Sequence, residues 1–530
     1  MSELRVQDLP VGTSSFEKLR LCNQLFVDKT ALIFNFASST GCFFLTRPRR
    51  FGKSLLVSTL ASLFANGLKH FHGLAIESLW KDRTYCVVEL DFLKIRNFSD
   101  IDSFEKRLKS LIVRSFARAG FTLDRSEEDE WLDQLSDWMS DQPSCSLVVL
   151  IDEYDAPLTA SLEDASLFEV VRKRLADFYA LLKTNDDCLR FVFMTGITKF
   201  SQTGIFSELN NFTDISLMPE FGSLLGYSEE DIELYFSSFI ENAAKKLTLP
   251  VETLRTKLRE NYDGYCFERS ATVRVYAPWS VLNFFRWPEQ GFVNYWIESG
   301  GNITLLQQYL HSHVLKSPTE YAEEKTLELQ QLSTASDLNG INDIALLMQT
   351  GYLTIRGKEG NVYRLSYPNR EVTEAMAILY SNMLLGARKL PDSSGFDLSR
   401  CLREGDVESL LSAANRVFAA IDYAQYPIKS EKDCQTFLQL FIAGMGFDVV
   451  AERHGALGRS DLEVDAGTCH WVFEIKYAAP DGMSETALLE KACRQIRERN
   501  YGATARRPLV RVALVFSSDR RAFTRWKALP

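Results

Sequence analysis

The sequence predicts an α/β protein built from three parts, and three patterns support that prediction. Over residues 1–220, apolar runs of strand length alternate with helical segments, as in a three-layer α/β domain. Apolar residues recur mostly at helical spacing over residues 221–390, which indicates a helical middle region. Residues 400–530 contain a block that reads helix, three strands, helix and strand, which predicts a second α/β domain. The segment 388–399 contains LPDSSGFD and is the best candidate for a linker between the last two parts.

The composition argues against several classes of protein. Ten cysteines stand singly, with no C-x-x-C pair, which disfavours a zinc finger or a disulfide framework and fits reduced intracellular thiols. No stretch reaches the ~20 apolar residues of a membrane span, and the N-terminus has no apolar signal segment. We therefore expect a cytoplasmic protein without a membrane partner.

The charge is unevenly distributed along the chain. A net charge of −10 disfavours a nucleic-acid partner for the chain as a whole. From Lys491 to Pro530, however, eleven lysine or arginine residues stand against two acidic residues. This basic run is either a solvated helix face or a surface that contacts phosphates, and the sequence leaves both interpretations open.

A phosphate-binding loop follows the first strand-like run, Cys42 to Leu45. The loop, residues 47–54 with the sequence RPRRFGKS, leads into an amphipathic helix, as in P-loop NTPases. Backbone N–H groups at the start of that helix can hold phosphates, Lys53 can reach the β- and γ-phosphates, and the Ser54 hydroxyl can bind Mg²⁺. The residues predicted to bind ATP here are Arg50, Phe51, Gly52, Lys53, Ser54 and Leu55. The pattern G-x-x-x-x-G-K-[ST] asks for glycine at position 47, where this chain has arginine.

Two further strand ends supply residues for the same chemistry. The apolar run at residues 146–151 leads directly into Asp152 and Glu153. In this arrangement the aspartate holds the Mg²⁺ shell, and the glutamate acts as the general base that polarises water. The alternative is a strand that ends in solvated acidic residues. A third strand ends at Thr195, whose side chain we expect to sense the γ-phosphate.

The C-terminal domain carries an acid and a base on one strand. Strand alternation over His470–Lys476 places Glu474 and Lys476 on the same face, where burial is costly without a function. Asp461 precedes Glu474 by thirteen residues, on a neighbouring predicted strand. The resulting D-x(12)-E-x-K pattern is that of PD-(D/E)XK nucleases and predicts a restriction-endonuclease-like fold. Asp461 and Glu474 would bind Mg²⁺, which would activate water, while Lys476 would position the water or stabilise charge at phosphorus.

Features around this pattern bear on its strength. Short patterns of this kind also occur by chance, and Ser460 stands where the name of the pattern has proline. The helix before the strands usually offers a further carboxylate, for which the candidates are Glu431 and Gln435. Because Gln435 stands where a stronger ligand is expected, we predict a metal site with fewer carboxylates than average.

The motifs occur together and in order, and they carry a family resemblance. RPRRFGKS, LIDEYDAPL and MTGITKFS, followed by NYDGYCF and LMQTGYL, resemble the AAA-ATPase-like family of bacterial and archaeal proteins that pair a P-loop domain with a C-terminal nuclease domain. The resemblance covers nearly the whole chain. It implies that an arginine-rich start is the usual form of the loop, so that Arg47 is compatible with ATP binding. It also implies that Gln495 and Tyr501 match residues that follow the catalytic lysine in the family, which makes Gln495 a further catalytic candidate.

The sequence therefore predicts a protein that binds and hydrolyses ATP in its N-terminal domain and cleaves nucleic acid with Mg²⁺ in its C-terminal domain. DNA is favoured over RNA, because the nuclease superfamily that the chain resembles mostly processes DNA. Two alternatives stay open. In the first, an ATP-dependent switch has a nuclease-like domain that binds nucleic acid or protein without cutting. In the second, a conformational ATPase has only protein partners. A homo-oligomer is compatible with each of these.

Overall fold

Two compact units make up the part of the chain that can be described. The computed structural model describes residues 7–162, 164–199, 211–298, 324–329, 331, 343–385, 392–455, 458–502, 505 and 507–530. Of these, the residues up to 371 form one unit and those from 372 onward form the other. The α/β class predicted from the sequence is confirmed. None of the helices in the described ranges combines the length and the apolar character of a membrane span.

A parallel five-stranded sheet is the framework of the first unit. Its strands are β1 (Gly41–Thr46), β2 (Cys86–Asp91), β3 (Leu147–Asp152), β4 (Leu189–Gly196) and β5 (Phe212–Asp214), in the order β2-β3-β4-β1-β5. β3 and β4 are buried along their whole length, which is why both read as continuous apolar runs in the sequence. The strand-like runs at residues 42–45 and 146–151 and the strand placed before Thr195 are confirmed as β1, β3 and β4, whereas the three-residue β5 was not predicted.

Helices cover both faces of this sheet. They are α1 (Phe16–Leu21), α2 (Thr30–Ala37), α3 (Lys53–Asn66), α4 (Ile101–Ala117), α5 (Trp131–Ser140), α6 (Ala156–Ala160) and α7 (Ala165–Thr184). Phe64 of α3 contacts Phe191 of β4, with ring centroids 4.9 Å apart. Phe104 of α4 belongs instead to the apolar core that includes Val192 and Met194. Because successive strand residues point to opposite faces, α3 and α4 lie on opposite faces of the sheet.

The first unit continues through residues 211–371 as helices and a small sheet. The helices are α8 (Glu229–Leu247), α9 (Val251–Tyr262), α10 (Pro278–Arg286), α11 (Tyr295–Glu298) and α12 (Asp343–Gln349). An aromatic core joins α8, α9 and α10, and Leu25 and Val27 from the N-terminal segment are buried in it. Within this region, β7 (Thr354–Glu359) and β8 (Val362–Ser366) form an antiparallel hairpin. A further strand, β6 (Lys325–Glu328), pairs with β8 and was not predicted.

A mixed five-stranded sheet is the framework of the second unit. Its strands are β9 (Asp448–Gly455), β10 (Gly458–Asp465), β11 (His470–Ala478), β12 (Leu509–Ser517) and β13 (Ala522–Leu529), in the order β13-β12-β11-β10-β9. The helices of this part are α13 (Arg370–Leu385), α14 (Asp392–Glu404), α15 (Val407–Ala419), α16 (Glu431–Ala443) and α17 (Glu485–Arg499). The predicted order of helix, three strands, helix and strand is confirmed from α16 to β12. β13 was missed because it is an edge strand whose exposed Arg525 and Lys527 interrupt the apolar pattern.

The linker predicted over residues 388–399 is wrong for its second part. Residues 392–399 are not a linker, because they form the first part of α14. The helix buries Leu398, Cys401 and Leu402, and the Trp471 indole Nε1–H donates to Leu402 O at 2.8 Å. These tertiary contacts outweigh the Ser-Ser-Gly composition, which favours a turn when it is considered alone. Residues 388–391 lie outside the described part of the chain.

Candidate functional site

The phosphate loop is shaped by two residues with positive φ. β1 ends at Thr46 and α3 begins at Lys53, so the loop joins a strand to a helix as predicted. Arg50 has φ 69° and Gly52, which caps α3, has φ 95°, and this left-handed region favours glycine. Phe51 is buried against Tyr265, with ring centroids 4.9 Å apart. No side chain caps α3, so its first N–H groups are available to an anion.

Lys53 is buried and bridges the loop. Its Nζ donates to Arg47 O at 3.1 Å and to Pro48 O at 3.2 Å. The same ammonium lies 3.7 Å from Glu153 Oε1. Lys53 therefore holds the two ends of the loop together, and its charge stands between the loop and the end of β3, where phosphates of a nucleotide would be stabilised.

Arg47 has a structural role that the sequence did not reveal. Its side chain is 2% exposed, and it donates to Ser216 O at 2.7 Å and to Phe221 O at 3.1 Å. The guanidinium also lies 4.7 Å from the centroid of the Phe267 ring. Burial lowers the pKa of Arg47 to about 10. Because the side chain points inward to these carbonyl groups, arginine at this position does not obstruct the phosphate loop.

Asp152 is a carboxylate that fits a bound cation. It ends β3 and is 9% exposed, and its Oδ1 is buried with no hydrogen-bonding partner within the described structure. Burial raises the pKa of Asp152 to about 6, while a hydrogen bond from the Ser54 side chain acts in the opposite direction. A buried carboxylate oxygen without a donor is costly, and a divalent cation would remove that cost. Ser54 and Asp152 are therefore suited to hold Mg²⁺.

Glu153 adopts an unusual backbone conformation. Its φ is 52°, which is rare for residues other than glycine and asparagine. The next residue anchors this turn, because Tyr154 N donates to Thr195 O at 3.1 Å and Tyr154 Oη donates to Thr198 O at 2.8 Å. The Glu153 carboxylate remains partly exposed, at 16%, on the same side as Lys53. This exposure leaves it able to contact a water molecule.

Asp155 is a second anchor of the same turn and was not singled out from the sequence. It is 2% exposed, and its Oδ2 accepts hydrogen bonds from Ile197 N at 3.0 Å, Thr198 N at 2.8 Å and Thr198 Oγ1 at 2.7 Å. A Cβ atom on Gly196 would come within 2.5 Å of Asp155 Oδ1, so glycine is required there. The motif LIDEYDAPL contained this residue, but only three-dimensional contacts show what it binds.

Thr195 does not fit the predicted γ-phosphate contact. It is fully buried, and its hydroxyl donates to Leu45 O at 2.8 Å across the β1–β4 pair. The strand end was located correctly, but the hydrogen of this hydroxyl is already used inside the sheet. In this structure the side chain joins two strands.

A cavity of about 500 Å³ opens at the phosphate loop, which is within the range of small-molecule sites. Residues 49–55 and Glu153 line one side of it. The Arg50 guanidinium lies 4.2 Å from the centroid of the Trp279 ring on another side. Its remaining walls include the apolar and aromatic side chains Phe26, Ile33, Tyr227 and Leu282. The cavity thus combines a phosphate-binding end with an apolar end, as a nucleotide requires.

The second unit brings together the predicted acidic residues and lysine. β10 and β11 are antiparallel, with Leu462 opposite Phe473, so Asp461 lies opposite Glu474. Asp461 Oδ2 accepts a hydrogen bond from Ile475 N at 2.7 Å. Glu474 is fully buried, and its Oε2 has no hydrogen-bonding partner in the described ranges.

Lys476 lies beside these carboxylates. Its Nζ is 2.8 Å from Glu474 Oε1 and 3.4 Å from Glu431 Oε2. Burial and, after it, the Asp461 carboxylate raise the pKa of Glu474 to about 7, against the opposing effect of Lys476. Burial alone would lower the pKa of Lys476, but the carboxylates, Glu474 first, more than offset that effect and raise it.

The first-helix candidates differ in what they contact. Both lie on α16, but only Glu431 reaches the lysine. Gln435 Nε2 donates to the backbone oxygen of Asp461 at 2.7 Å and so supports the strand that carries this carboxylate. Glu431, which is half exposed, is therefore the third acidic group of the site.

Gln495 contacts Tyr501, the other residue that the resemblance singled out. Gln495 Nε2 lies 3.4 Å from Tyr501 Oη, and Arg499 donates to the same oxygen at 3.0 Å. The tyrosine hydroxyl donates to Arg459 O at 2.6 Å, which ties the end of α17 to β10. These contacts place Gln495 in a polar network beside the strand of Asp461.

The orphaned Glu474 Oε2 decides whether a cation suits the second site. Removal of two carboxylates from water is costly, and one ammonium group contacts only one of the Glu474 oxygens. Across the described ranges, no group of three or more His, Cys, Asp or Glu side chains is arranged to hold a metal ion. Mg²⁺ usually takes only one or two protein carboxylates and keeps several waters. Asp461 and Glu474 therefore fit Mg²⁺ rather than a metal that needs a complete protein cage.

Comparisons with known proteins divide the chain in the same way. Residues 10–206 match a family described as a predicted AAA-ATPase, and residues 429–526 match the PD-(D/E)XK nuclease superfamily. An uncharacterized protein in the vnfD 5′ region of Azotobacter chroococcum is 29% identical over 535 residues, which cover 97% of each chain.

Solved structures give weaker likenesses. A Walker-type ATPase of Pyrococcus abyssi has a TM-score of 0.36 at 11% identity, over 71% of this chain and 99% of that one. A signal-transduction ATPase with numerous domains and a tetratricopeptide-repeat sensor, from Pyrococcus horikoshii, has a TM-score of 0.24 at 11% identity, over 79% of this chain and 57% of that one. Scores this low carry no argument about function.

Proposed function

We propose that this chain, which carries an AAA-ATPase-like domain at residues 10–206 and a PD-(D/E)XK nuclease-superfamily domain at residues 429–526, hydrolyses ATP and thereby controls cleavage of DNA. Each activity is assigned to its own site. ATP binds at the phosphate loop, and the phosphodiester is cleaved at the Asp461–Glu474 pair.

In the first site, the chain supplies phosphate ligands, a cation site and a base. The first N–H groups of α3 and the Lys53 ammonium bind the phosphates. Ser54 and Asp152 would hold Mg²⁺, which neutralises charge on the phosphates when it is bound. Glu153 accepts the proton of the water that attacks the γ-phosphorus, and the bond to the bridging oxygen of ADP breaks. Its exposed carboxylate beside Lys53 supports that role.

In the second site, the chain supplies two cation ligands and one positive charge. Asp461 and Glu474 would hold Mg²⁺, which lowers the pKa of water and neutralises the scissile phosphate when it is bound. The Lys476 ammonium holds the attacking water or a phosphate oxygen by hydrogen bonds, and a phosphorus–oxygen bond of the DNA backbone breaks. Gln495 lies beside Tyr501, and we assign it a supporting polar contact with the substrate.

One observation carries the nuclease assignment. A fully buried Glu474 keeps one oxygen without a donor while the other contacts Lys476. A buried unpaired acceptor costs about 1–3 kcal/mol, and a cation held by Asp461 and Glu474 would remove that cost. The arrangement is explained if a cation binds there during the reaction.

Cleavage of plasmid DNA tests the proposal. Wild-type protein is incubated with supercoiled plasmid and Mg²⁺ or Mn²⁺, with and without ATP, beside the Asp461→Ala variant. The expected result is metal-dependent nicking or linearisation by the wild type and none by the variant. Salt-sensitive DNA binding without cleavage under all conditions would instead identify an ATP-dependent switch, and protein partners with no DNA binding would identify a conformational ATPase.

A further inference from the structure

A second opening in the first unit reaches the same catalytic residues from another direction. This groove, which we call the β2 groove, has a volume of about 1480 Å³ and is lined by residues of α3, β2 and α4 together with Ser54, Asp152 and Glu153. β2 is the edge strand of the sheet, so it forms the floor of the groove. The β2 groove is distinct from the cavity at the phosphate loop, although both are lined by Ser54 and Glu153.

The groove has the width of a slot rather than that of an open surface. α3 and α4 lie on opposite faces of the sheet, and both line the groove beside its edge strand. Elements stacked in layers are about 10 Å apart, so the axes of two helices on opposite faces of one sheet are roughly 20 Å apart. A helix with its side chains is about 10–12 Å across, so half of that width on each side is taken up by the helices. The slot between two helices on opposite faces is therefore roughly 10 Å wide. An extended single chain enters such a slot, whereas duplex DNA, whose major groove alone measures about 12 Å, is too wide.

One wall of the groove carries a basic stripe. Arg107, Arg114 and Arg118 are exposed and line the groove, as does Lys106 beside them. At 3.6 residues per turn, the three arginines lie within about 40° of one another around α4 and extend over roughly 16 Å. The adjoining side of the same helix is anchored in the core by residues such as Phe104 and Ile112. The stripe therefore faces the slot in a fixed direction.

These basic side chains are not neutralised by the protein. Within the described ranges, no carboxylate lies at ion-pairing distance from Lys106, Arg107, Arg114 or Arg118. Acidic residues also line the groove, and of these Asp152 and Glu153 lie at its catalytic end while Asp91 and Glu17 are engaged elsewhere. Asp91 lies 3.6 Å from Lys94, and Glu17 accepts hydrogen bonds from Ser62 at 3.1 Å and Asn66 at 2.7 Å. Glu89, near Arg118 and Lys94, has its pKa raised by burial.

The facing wall leaves room for a ligand, although the Ser62 hydroxyl on it already donates to Glu17 at 3.1 Å. The side of α3 that lines the groove carries the small residues Ser58, Ala61, Ser62 and Ala65. On the α4 side, Ser110 lies between Arg107 and Arg114 along the helix, whereas the Ser103 hydroxyl already donates to Asp100 O at 2.9 Å. Arginine, lysine and serine side chains are the usual donors to phosphate oxygens. A slot with a row of such donors fits a chain that carries an anion on every unit.

We propose that the β2 groove binds single-stranded nucleic acid and that its occupancy regulates hydrolysis of ATP. The inference rests on the proposed function, because a nuclease brings nucleic acid to this protein. That same function favours nucleic acid over an acidic polypeptide as the occupant. The contacts are to phosphates, and Tyr85 is the aromatic residue in the groove lining, so binding has little sequence preference. The groove ends at Asp152 and Glu153, so an occupant sits beside the base that activates water.

The test measures stimulation of ATP hydrolysis by oligo(dT) in the full-length chain that carries Asp461→Ala, so that the oligonucleotide is not cleaved. The groove variant is Arg114→Glu with Arg118→Glu, and a milder form is Arg114→Gln with Arg118→Gln. The control is Lys245→Glu with Lys257→Glu, which changes the net charge equally on α8 and α9. Lys245 lies in the last turn of its helix, as Arg114 does, so the helix-dipole cost is matched. Each variant is normalised to its own rate without oligonucleotide.

We expect oligo(dT) to raise the rate severalfold in the parent and in the control, and to lose most of that effect in both groove variants. Anisotropy of labelled oligo(dT) should show a salt slope reduced by about two in the groove variant. Equal slopes and equal stimulation in groove variant and control would overturn the inference, even if ATP hydrolysis is intact. Binding of polyglutamate in place of oligo(dT), with the same dependence on the arginines, would overturn it in favour of an acidic polypeptide. If no variant hydrolyses ATP, the proposed ATPase activity is wrong. The difference in oligonucleotide anisotropy between the groove variant and the control then tests on its own whether the groove binds nucleic acid.

Discussion

The Nζ atom of Lys476 lies 2.8 Å from Oε1 of Glu474, while Oε2 of the same carboxylate is buried without a partner in the described part of the chain. Asp461 lies on the paired strand and has one oxygen bound to Ile475 N at 2.7 Å. A lysine can satisfy only part of this buried charge. The proposed cleavage of DNA therefore depends on a cation that binds to the two carboxylates.

Mg²⁺ or Mn²⁺ should raise the thermal stability of the second unit. A ligand that binds only the folded state stabilises it by about 2.7 kcal/mol at a hundredfold excess over its dissociation constant. The measurement is differential scanning calorimetry of the full chain with and without metal. The shift should disappear in Asp461→Ala, while Asp448→Ala, which removes an exposed carboxylate from β9 opposite Asp465, serves as a comparison that retains both ligands. A metal shift of equal size in Asp461→Ala would mean that the cation binds elsewhere.

Glu153→Gln should separate nucleotide binding from hydrolysis. The amide keeps the shape of the side chain but cannot take a proton from water, so ATP should remain bound while turnover falls by about 10²–10⁴-fold. Nucleotide affinity is measured by isothermal titration and turnover by release of phosphate. Turnover equal to that of the wild type would show that Glu153 is not the base.

Lys53→Ala should weaken ATP binding and also reduce stability. From the sequence, a lysine on a phosphate loop supplies charge to the ligand and its loss leaves the fold unchanged. In the structure Lys53 is 4% exposed and binds two backbone carbonyl groups, which would be left unsatisfied. A loss of about 1–3 kcal/mol in unfolding free energy is expected from chemical denaturation without nucleotide. Unchanged stability together with unchanged affinity would contradict both roles.

Replacement of Arg47 by the glycine of the standard phosphate-loop pattern should harm the protein. Arg47 donates to backbone carbonyls of Ser216 and Phe221, far along the chain, and hydrogen bonds from a charged group are each worth about 1.5–3 kcal/mol. Arg47→Gly should therefore unfold at clearly lower denaturant concentration than the wild type. The neighbouring Arg49→Gly is the control, because that side chain is only partly buried. Equal denaturation midpoints for the two variants would show that the buried contacts of Arg47 do not stabilise the fold.

Asp155→Asn should lower the turnover number with little change in the Michaelis constant for ATP. The carboxylate accepts three hydrogen bonds from Ile197 and Thr198 and so holds the turn that presents Glu153. The amide oxygen of asparagine can take the place of Oδ2, but it is neutral and accepts the three hydrogen bonds less strongly than a carboxylate does. The NH₂ group then occupies the buried position of Oδ1, which also loosens the turn. Thr198→Val, which removes only the Oγ1 contact, should have a smaller effect in the same direction. A change confined to the Michaelis constant would place Asp155 in nucleotide binding instead.

Most of the fold was predictable because the signals that define it are local. β3 and β4 read as continuous apolar runs because every residue of these strands is buried. β11 is recognised by the alternation of its side chains. The same applies to Asp461, Glu474 and Lys476, since strand alternation and an antiparallel pair are sufficient to bring them together. Edge strands such as β13 and the helical start of α14 were missed because their residues are exposed or have low helix propensity, and only tertiary contacts hold them.

The supporting residues of the sites could not be predicted from one sequence. Arg47 contacts carbonyl groups 169 and 174 residues away, and Asp155 contacts N–H groups 42 and 43 residues away. No periodicity encodes such pairs. For Thr195, the sequence located the strand end but not the direction of the hydroxyl, because that direction depends on the neighbouring strand.

Cleavage of supercoiled plasmid DNA by the full chain tests the central claim most directly. Asp461→Ala and Lys476→Ala should each abolish cleavage in Mg²⁺ or Mn²⁺ while ATP still binds at the phosphate loop, and Arg400→Glu, on an exposed position of α14, should cleave like the wild type. We expect the wild type to cleave the plasmid only when metal is present and to change its cleavage rate when ATP is added. Absence of cleavage of DNA by the wild type with metal and ATP present, or full cleavage by Asp461→Ala, would contradict it.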